Sequence, residues 1–174
     1  MATFAMSEAL TIILKKNDPS SAAKQVSLTE LGSIKINKEE RRKMCKTIPR
    51  SSIMGFLIGV LPGAGATIAS FLAYGMERNL VKDEEKEKFG KGSVNGLSAP
   101  ETANNAACSG SFVPMLTLGI PGSGTTAVML GALLGFGIQP GPRLYMTNPE
   151  IFWSVIMSMY VGMVILLILN LPLI

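Results

Sequence analysis

The sequence predicts an all-α integral membrane protein with several membrane helices, some of them interrupted by glycine and proline. Hydrophobic residues make up 48% of the 174 residues and charged residues only 16%. The charges are unevenly placed, because all but 4 of the 28 charged side chains lie between Lys15 and Lys91. Three uncharged runs result, residues 51–76, 102–142 and 151–174. A membrane-spanning helix needs about 20 apolar residues, so each run is long enough to enter a bilayer.

The first residues, 1–14, are predicted to be the end of a hydrophobic segment. They carry Glu8, lack a basic start and contain no small-residue cleavage site, which excludes a secretory signal. At the other end, the sequence is still apolar at Leu173 and Ile174. We therefore expect the chain to be a fragment of a longer transporter-like protein.

A basic cytoplasmic loop is predicted for residues 15–50, which hold ten Lys or Arg against four acids. Within it, KINKEERRKMCK is typical of a short charged helix near the membrane. The positive-inside rule accounts for these charges, and the alternative is a contact with anionic membrane lipid. The side chains that would make this lipid contact are Lys38, Arg41, Arg42, Lys43 and Lys46.

A broken membrane segment is predicted for residues 51–76, because Pro62, Gly63 and Gly65 interrupt its middle. Each arm has about 11 residues, or roughly 16 Å of helix, which is half of a ~30 Å hydrocarbon core. This length favours a re-entrant hairpin, and a single crossing by a discontinuous helix is the alternative. The charged loop 77–100 follows.

Two further membrane elements complete the predicted fold. The second broken segment, 102–142, is interrupted at PGSG and ends at QPGP, and either a hairpin or two spans would fit its longer arms. Its glycines Gly131 and Gly135 would let a neighbouring helix approach closely. The run 151–174 is predicted to be a plain spanning helix with Trp153 at a membrane interface.

The stretch GIPGSGTT, residues 119–126, comes within one residue of a phosphate-binding P-loop. That motif needs a lysine before its last Ser or Thr, preceded by a strand, and here Thr125 takes the lysine's place. The preceding SFVPMLTL could pass for a strand, but the uncharged run contains no lysine at all. We therefore expect no nucleotide site. A membrane-bound phosphate-loop protein and a non-transporting membrane protein remain the alternatives to a carrier.

A better comparison for this stretch is internal, because PGAGAT at residues 62–67 matches PGSGTT at 121–126 in four of six positions. Paired Gly/Pro breaks in hydrophobic segments indicate the binding site of a secondary transporter. A helix that restarts inside the membrane offers free N–H groups and a positive dipole end to an anion. The predicted substrate-binding residues are Gly63, Gly65, Thr67, Gly122, Ser123, Gly124, Thr125 and Thr126.

Polar residues at the start of the second broken segment are candidates for a coupling cation, Na⁺ or H⁺. Asn104 and Asn105 are costly in an apolar run, so a functional role is favoured over a structural one. Glu101 could join them, or could simply occupy the first turn of a helix after Pro100. Arg143 is interpreted as an interfacial anchor, with a carboxylate contact as the alternative.

The sequence indicates neither an enzyme nor a metal protein. Histidine is absent and the two cysteines, Cys45 and Cys108, have no partner pattern. We expect no catalytic residues, no metal ligands, no cofactor and no nucleic-acid partner.

Four blocks in order across residues 50–143 resemble the TctA family, the large membrane subunit of the tripartite tricarboxylate transporters. They are GFLIGVLPGAGATIASFLAYGMER, FGKGSVNGLSAPETANNAA, TLGIPGSGTTAVMLGALL and GIQPGP, and FAMSEAL near the start resembles the segment before the family's second half. The resemblance covers the middle and part of the second half of the family's longer chain. The first-half counterpart of the two breaks is therefore missing from it.

This resemblance implies cation-driven symport of citrate-like or other organic carboxylates by a multi-pass protein of the bacterial inner membrane. It also implies two partners, a small TctB-like membrane subunit and a TctC-like periplasmic substrate-binding protein.

Overall fold

The structure, a computed structural model, describes residue 6 and residues 36–173, with side chains as far as residue 170. The predicted hydrophobic end at 1–14 and most of the predicted loop at 15–50 therefore lie outside the described residues. Between residues 36 and 173 the chain is helical and contains no strand. The helices are α1 Lys38–Val60, α2 Gly65–Leu80, α3 Asp83–Lys86, α4 Val94–Gly110, α5 Phe112–Leu118, α6 Gly124–Gly135, α7 Leu144–Thr147 and α8 Pro149–Leu173.

Helix α1 joins the basic segment to the first apolar run without a break at residue 50. It begins at a capping box, in which the Asn37 side chain caps the first turn and Glu40 Oε2 accepts from Asn37 N at 2.8 Å. The helix then continues through Pro49. The short charged helix predicted here is thus the first part of a longer one.

The helix in the first apolar run is interrupted, and the chain reverses direction there. Helix α1 ends at Val60, α2 begins at Gly65, and Gly63 and Gly65 have φ of 80° and 68°, a region that glycine enters without strain. Thr47 Oγ1 donates to Glu77 Oε1 at 2.8 Å, although the two residues lie far from the turn on opposite sides of it. The helices therefore form an antiparallel hairpin rather than one interrupted rod.

Helix α4 packs in the groove of this hairpin through small residues. A β-carbon at Gly55 would lie 2.6 Å from Ala103 Cα, and one at Gly59 the same distance from Ala107 Cα. Residue numbers rise together along the two helices in these contacts, so α4 runs parallel to α1. The resulting core consists of fully or almost fully buried alanines, Ala69, Ala73, Ala99, Ala103 and Ala107. This close approach is the small-residue packing that membrane helices use.

Helix α4 also corrects one interpretation of the sequence. It begins after Ser93, whose Oγ accepts from Gly96 N at 3.1 Å, and it continues through Pro100. Glu101 therefore lies inside the helix, so the reading of Glu101 as a first-turn residue was wrong. Pro100 is tolerated there because the preceding turn of α4 is held by packing against the hairpin.

A second interruption follows α5, between Leu118 and Gly124. SFVPMLTL is helical rather than extended, and Gly119, with φ of 70°, ends α5 in the left-handed conformation. Residues 119–123 then fold back along α5, so that Ser123 Oγ lies 3.5 Å from Ser111 Oγ at the end of α4. Helix α6 starts from there.

The last helices pack around a second core made by Met115, Leu116 and Leu144. Helix α6 ends at Gly135, just ahead of the predicted QPGP stop, and Gly141 N donates to Leu116 O at 3.2 Å. No described atom comes within 4 Å of a β-carbon built at Gly131 or Gly135, so the close helix approach expected there is not made by residues 36–173.

Among the described helices, one is both long enough and apolar enough to span a membrane. Residues Pro149–Asn170 of α8 have a mean hydropathy of 2.4 and none of that stretch is buried. All three uncharged runs have enough residues to span a bilayer, but in the first two runs the uncharged residues do not form one continuous helix of that length. The two glycine-rich breaks divide the first two runs into shorter pieces, such as the apolar helix Gly124–Gly135.

Candidate functional site

The start of α6 is held by a reciprocal capping box. Ser123 Oγ accepts from Thr126 N at 3.2 Å, and Thr126 Oγ1 accepts from Ser123 N at 2.8 Å. The Thr126 hydroxyl also donates to Ser123 O at 2.9 Å, and the residue is 1% exposed. Ser123 and Thr126 thus fix the geometry of the helix start and have little capacity left for a ligand.

Gly122 and Gly124, which the sequence treats alike, have different surroundings. A β-carbon at Gly122 would lie 2.8 Å from Ser111 Cβ, so this glycine allows the break to pack on the end of α4. A β-carbon at Gly124 would meet nothing within 4 Å among the described residues. Gly124 and the exposed Thr125 are therefore the open positions of the helix start.

The backbone amides of Gly124 and Thr125 are the first two N–H groups of α6. Neither amide donates a hydrogen bond to any residue in the part of the chain that the structure describes. Unpaired N–H groups at a helix start carry the positive end of the helix dipole. The α6 start is therefore chemically able to receive an anion.

The tip of the first break is open as well. Gly63 and Gly65 have no described neighbour within 4 Å of a built β-carbon, and Thr67 is exposed in the first turn of α2. Ala64, at the N-cap, makes no side-chain cap hydrogen bond. The α2 start thus lacks the capping box that the α6 start has.

Both breaks lie at the same end of α4. A β-carbon at Gly110 would lie 2.5 Å from Phe56 O and 3.2 Å from Gly59 Cα, close to where α1 ends. The next residue, Ser111, receives Gly122 of the second break. Residues 61–64 and 119–123 therefore both lie toward this end of α4.

The three candidate cation residues are not brought together. Asn104 Nδ2 donates to Ser70 Oγ of α2 at 3.3 Å. Glu101 and Asn105 are exposed on another side of α4, where Asn105 Nδ2 donates to Glu101 O at 2.9 Å. Asn105 also lines an open cleft of about 690 Å³ between α4 and α8. Neighbouring helical residues point about 100° apart, which separates Asn104 from Asn105.

The basic residues of α1 lie at the opposite end of the three-helix unit from the breaks. Lys43 Nζ lies 3.0 Å from Glu85 Oε2, and this hydrogen bond raises the pKa of Lys43 above 10.5 and lowers the pKa of Glu85 below 4.5. The exposed members of the basic set are Lys38, Arg41, Arg42 and Lys46. Arg143 is exposed just before α7 and makes no ion pair with residues 36–170.

A buried polar cluster at this charged end was missed by the sequence reasoning. Glu77 has no exposed surface, and its Oε1 accepts from Thr47 Oγ1 at 2.8 Å, Asn95 Nδ2 at 2.9 Å and Arg50 Nη2 at 3.0 Å. Asn95 Nδ2 also donates to Thr47 Oγ1 at 3.0 Å. Glu77 continues the four-residue spacing of Ala69 and Ala73, and that spacing was a signal of its burial.

Metal-binding groups of the usual kind are not found in the described chain. Residues 36–173 contain no cluster of three or more Cys, Asp or Glu that could hold a metal ion. Cys45 and Cys108 are exposed and free.

Comparison with known proteins gives two relatives in Agrobacterium vitis. The chain is 42% identical over 159 residues to an uncharacterized 52.8 kDa protein in the TAR-I ttuC' 3' region, covering 91% of this chain and 31% of that protein. It is 49% identical over 120 residues to an uncharacterized protein in the TAR-II ttuC' 3' region, covering 69% and 49% respectively. The chain thus spans less than half the length of these relatives. No solved structure matches it.

The model of the tripartite tricarboxylate transporter TctA family matches residues 1–174. The resemblance seen in the four sequence blocks is therefore confirmed over the whole chain. This chain belongs to the TctA family, whose members are membrane components of transporters and not enzymes.

Proposed function

We propose that this chain forms part of the large membrane subunit of a tripartite system that takes up citrate-like or other organic carboxylates. Family membership supports the transporter class. The observation that carries the proposal is that both helix breaks lie at the same end of α4, where Gly110 packs on Gly59 just before the first break and Ser111 packs on Gly122 of the second. In secondary transporters, such paired breaks hold the substrate near the middle of the membrane.

The α6 start supplies the chemistry for a carboxylate. The open amides of Gly124 and Thr125 and the exposed Thr125 hydroxyl can donate hydrogen bonds to a carboxylate oxygen, with the helix dipole adding to the attraction. The open tip with Gly63, Gly65 and Thr67 would form the second side of the site. Ser123, Thr126 and Gly122 hold the first side in place.

The surroundings favour a carboxylate over a nucleotide. The run 102–142 has no charged residue to neutralise a polyphosphate. The segment before GIPGSGTT is a helix, whereas a P-loop follows a strand.

The hairpin α1–α2 suggests how the chain lies in the membrane. The Lys43–Glu85 ion pair joins the basic segment to the loop after α2, so both are on one side. We propose that the hairpin re-enters from the cytoplasmic side of the bacterial inner membrane and that α8 spans it, with exposed Trp153 near an interface. TctB-like and TctC-like proteins are the proposed partners, and a gradient of Na⁺ or H⁺ the proposed driving force.

A pair of glycine substitutions on α6 tests the substrate site. In the complete subunit with its partners, Gly124→Leu should abolish carboxylate uptake by covering the open amides. Gly131→Leu is the matched control, since it lies two turns further on the same helix face with equally open surroundings. Wild-type uptake by a well-expressed Gly124→Leu variant, or equal loss in both variants, would contradict a site at the α6 start.

A further inference from the structure

We propose that the buried cluster around Glu77 is a binding site for a small hard monovalent cation of the size of Na⁺. The site lies between α1, α2 and α4 at their charged end, away from the two helix breaks. The ligands would be oxygens of Ser51, Glu77 and Asn95. Only the role of this site in coupling rests on the proposed function, because cation binding itself can be measured without transport.

Three oxygens of this cluster are buried and lack any hydrogen-bond partner among the described residues. They are Ser51 Oγ, Glu77 Oε2 and Asn95 Oδ1. Ser51 and Glu77 have no exposed surface and Asn95 is 6% exposed. A buried polar atom without a partner costs on the order of 1–3 kcal/mol, so three in one region indicate that a ligand supplies the missing interactions.

The side chains of Glu77 and Asn95 are in direct contact, and Ser51 lies one helical turn from their partner Thr47. Asn95 Nδ2 lies 2.9 Å from Glu77 Oε1 and 3.0 Å from Thr47 Oγ1. In Glu77 the unpartnered Oε2 shares its carbon with the hydrogen-bonded Oε1, and in Asn95 the unpartnered Oδ1 shares its carbon with the hydrogen-bonded Nδ2. Ser51 follows Thr47 by one turn on the same buried face of α1.

The chemistry of the three atoms fits a cation. A carboxylate oxygen, an amide carbonyl and a hydroxyl are all lone-pair donors, and oxygen ligands of this kind are those that hard cations take. Asn95 Nδ2 donates to Glu77 Oε1 and Thr47 Oγ1, and Arg50 Nη2 donates to Glu77 Oε1. The unpartnered Glu77 Oε2 and Asn95 Oδ1 have no hydrogen to donate, so they suit a cation rather than an anion.

The positive groups near the cluster leave room for a cation. Arg50 is paired with Glu77 Oε1 at 3.0 Å and also donates from Nε to Lys46 O, and its side chain is 41% exposed, so water screens its charge. Lys43 is paired with Glu85 at 3.0 Å and with Glu39 at 3.6 Å. Glu77 Oε2 has no hydrogen-bond partner among the described residues.

The test is the thermal unfolding of the purified subunit in NaCl, LiCl, KCl and choline chloride at equal ionic strength. At a Na⁺ concentration 100-fold above Kd, the Tm in NaCl should exceed the Tm in choline chloride by on the order of 5 °C. Potassium should have a smaller effect. The same Tm in all four salts would overturn the proposal.

Ser51→Ala separates a ligand from an ordinary buried hydroxyl. Removing the unpartnered hydroxyl should raise Tm in choline chloride whether or not Ser51 is a ligand, so the informative quantity is the further rise of Tm with Na⁺. If Ser51 binds the cation, the variant should need about tenfold more Na⁺ for the same further rise. A response to Na⁺ equal to that of the wild type would contradict a ligand role for Ser51. Ser158→Ala is the control, because Ser158 Oγ donates to Val155 O on exposed α8.

Glu77→Gln provides a second arm, in which the response of Tm to Na⁺ should disappear. If the response to Na⁺ is weakened in Ser51→Ala and lost in Glu77→Gln while uptake persists, the cation site is supported and its role in coupling is contradicted. If Na⁺ binding is intact but uptake fails in Gly124→Leu, the two proposals are seen to be independent.

Discussion

Gly59 of α1 packs directly on the backbone of Ala107 in α4, so closely that a β-carbon at position 59 would lie 2.6 Å from Ala107 Cα. The same spacing recurs one turn earlier, between Gly55 and Ala103. This line of contacts carries the α1–α4 interface. It also sets the position of Gly110, and through Ser111 the position of the second break.

Gly59→Ala should therefore lower the stability of the subunit, because the backbone of Ala107 cannot move aside as a side chain would. We expect a loss of about 1–3 kcal/mol, measured as a fall in Tm in detergent. Gly75→Ala is the control: no described atom lies within 4 Å of its β-carbon. That change should be neutral or stabilise by up to about 1 kcal/mol. A Gly59→Ala variant as stable as Gly75→Ala would show that the helices do not pack this closely.

The Lys43–Glu85 pair makes stability depend on pH. The hydrogen bond from Lys43 lowers the pKa of Glu85 below 4.5, so its contribution is fully present above pH 4.5 and is lost as pH falls through the lowered pKa. The pKa of Lys43 is raised above 10.5, so its contribution is present below pH 10.5 and is lost as pH rises through the raised pKa.

Lys43→Met should thus lower stability at pH 7 by roughly 0.2–1 kcal/mol, the range of partly exposed ion pairs. It should also flatten the fall in Tm below pH 4.5. Tm measured against pH gives both quantities. Lys91→Met is the control, since Lys91 makes no ion pair with the residues from 36 to 170. If Tm falls identically below pH 4.5 in the wild type and in Lys43→Met, the Lys43–Glu85 pair is not the cause of that fall.

The hairpin predicts the sidedness of two charged segments. Because Glu85 lies 3.0 Å from Lys43, cysteines introduced at Lys38 and Lys86 should react with an impermeant maleimide from the same face of the membrane. The exposed Cys45 and Cys108 must first be replaced. Permeabilised cells, in which both positions should react, provide the control for accessibility. Labelling from opposite faces would contradict a re-entrant hairpin and would favour a single crossing of the membrane by residues 51–76.

Both helix breaks were predictable from the sequence, since proline and clustered glycine disfavour a helix through purely local effects at Pro62, Gly63 and Gly119. The extent of α1 and α4 was not, because Pro49 and Pro100 are local helix breakers that lie within packed helices. Likewise, assigning Asn104 and Asn105 to different faces required the register of α4. Glu77 was treated as the start of a charged loop, although its spacing from Ala73 follows the buried face.

Two adjacent threonines should separate binding from folding at the α6 start. Thr126→Val removes the acceptor for Ser123 N and should cost about 0.5–2 kcal/mol of stability, as the loss of a helix cap does. Thr125 is exposed and outside the capping box, so Thr125→Val should leave Tm unchanged and raise KM for carboxylate uptake on the order of tenfold. The two substitutions remove the same hydroxyl from neighbouring positions, so each serves as the control for the other. Unchanged KM in Thr125→Val would mean that its hydroxyl does not touch the substrate, and the backbone amides of Gly124 and Thr125 would then have to bind it alone.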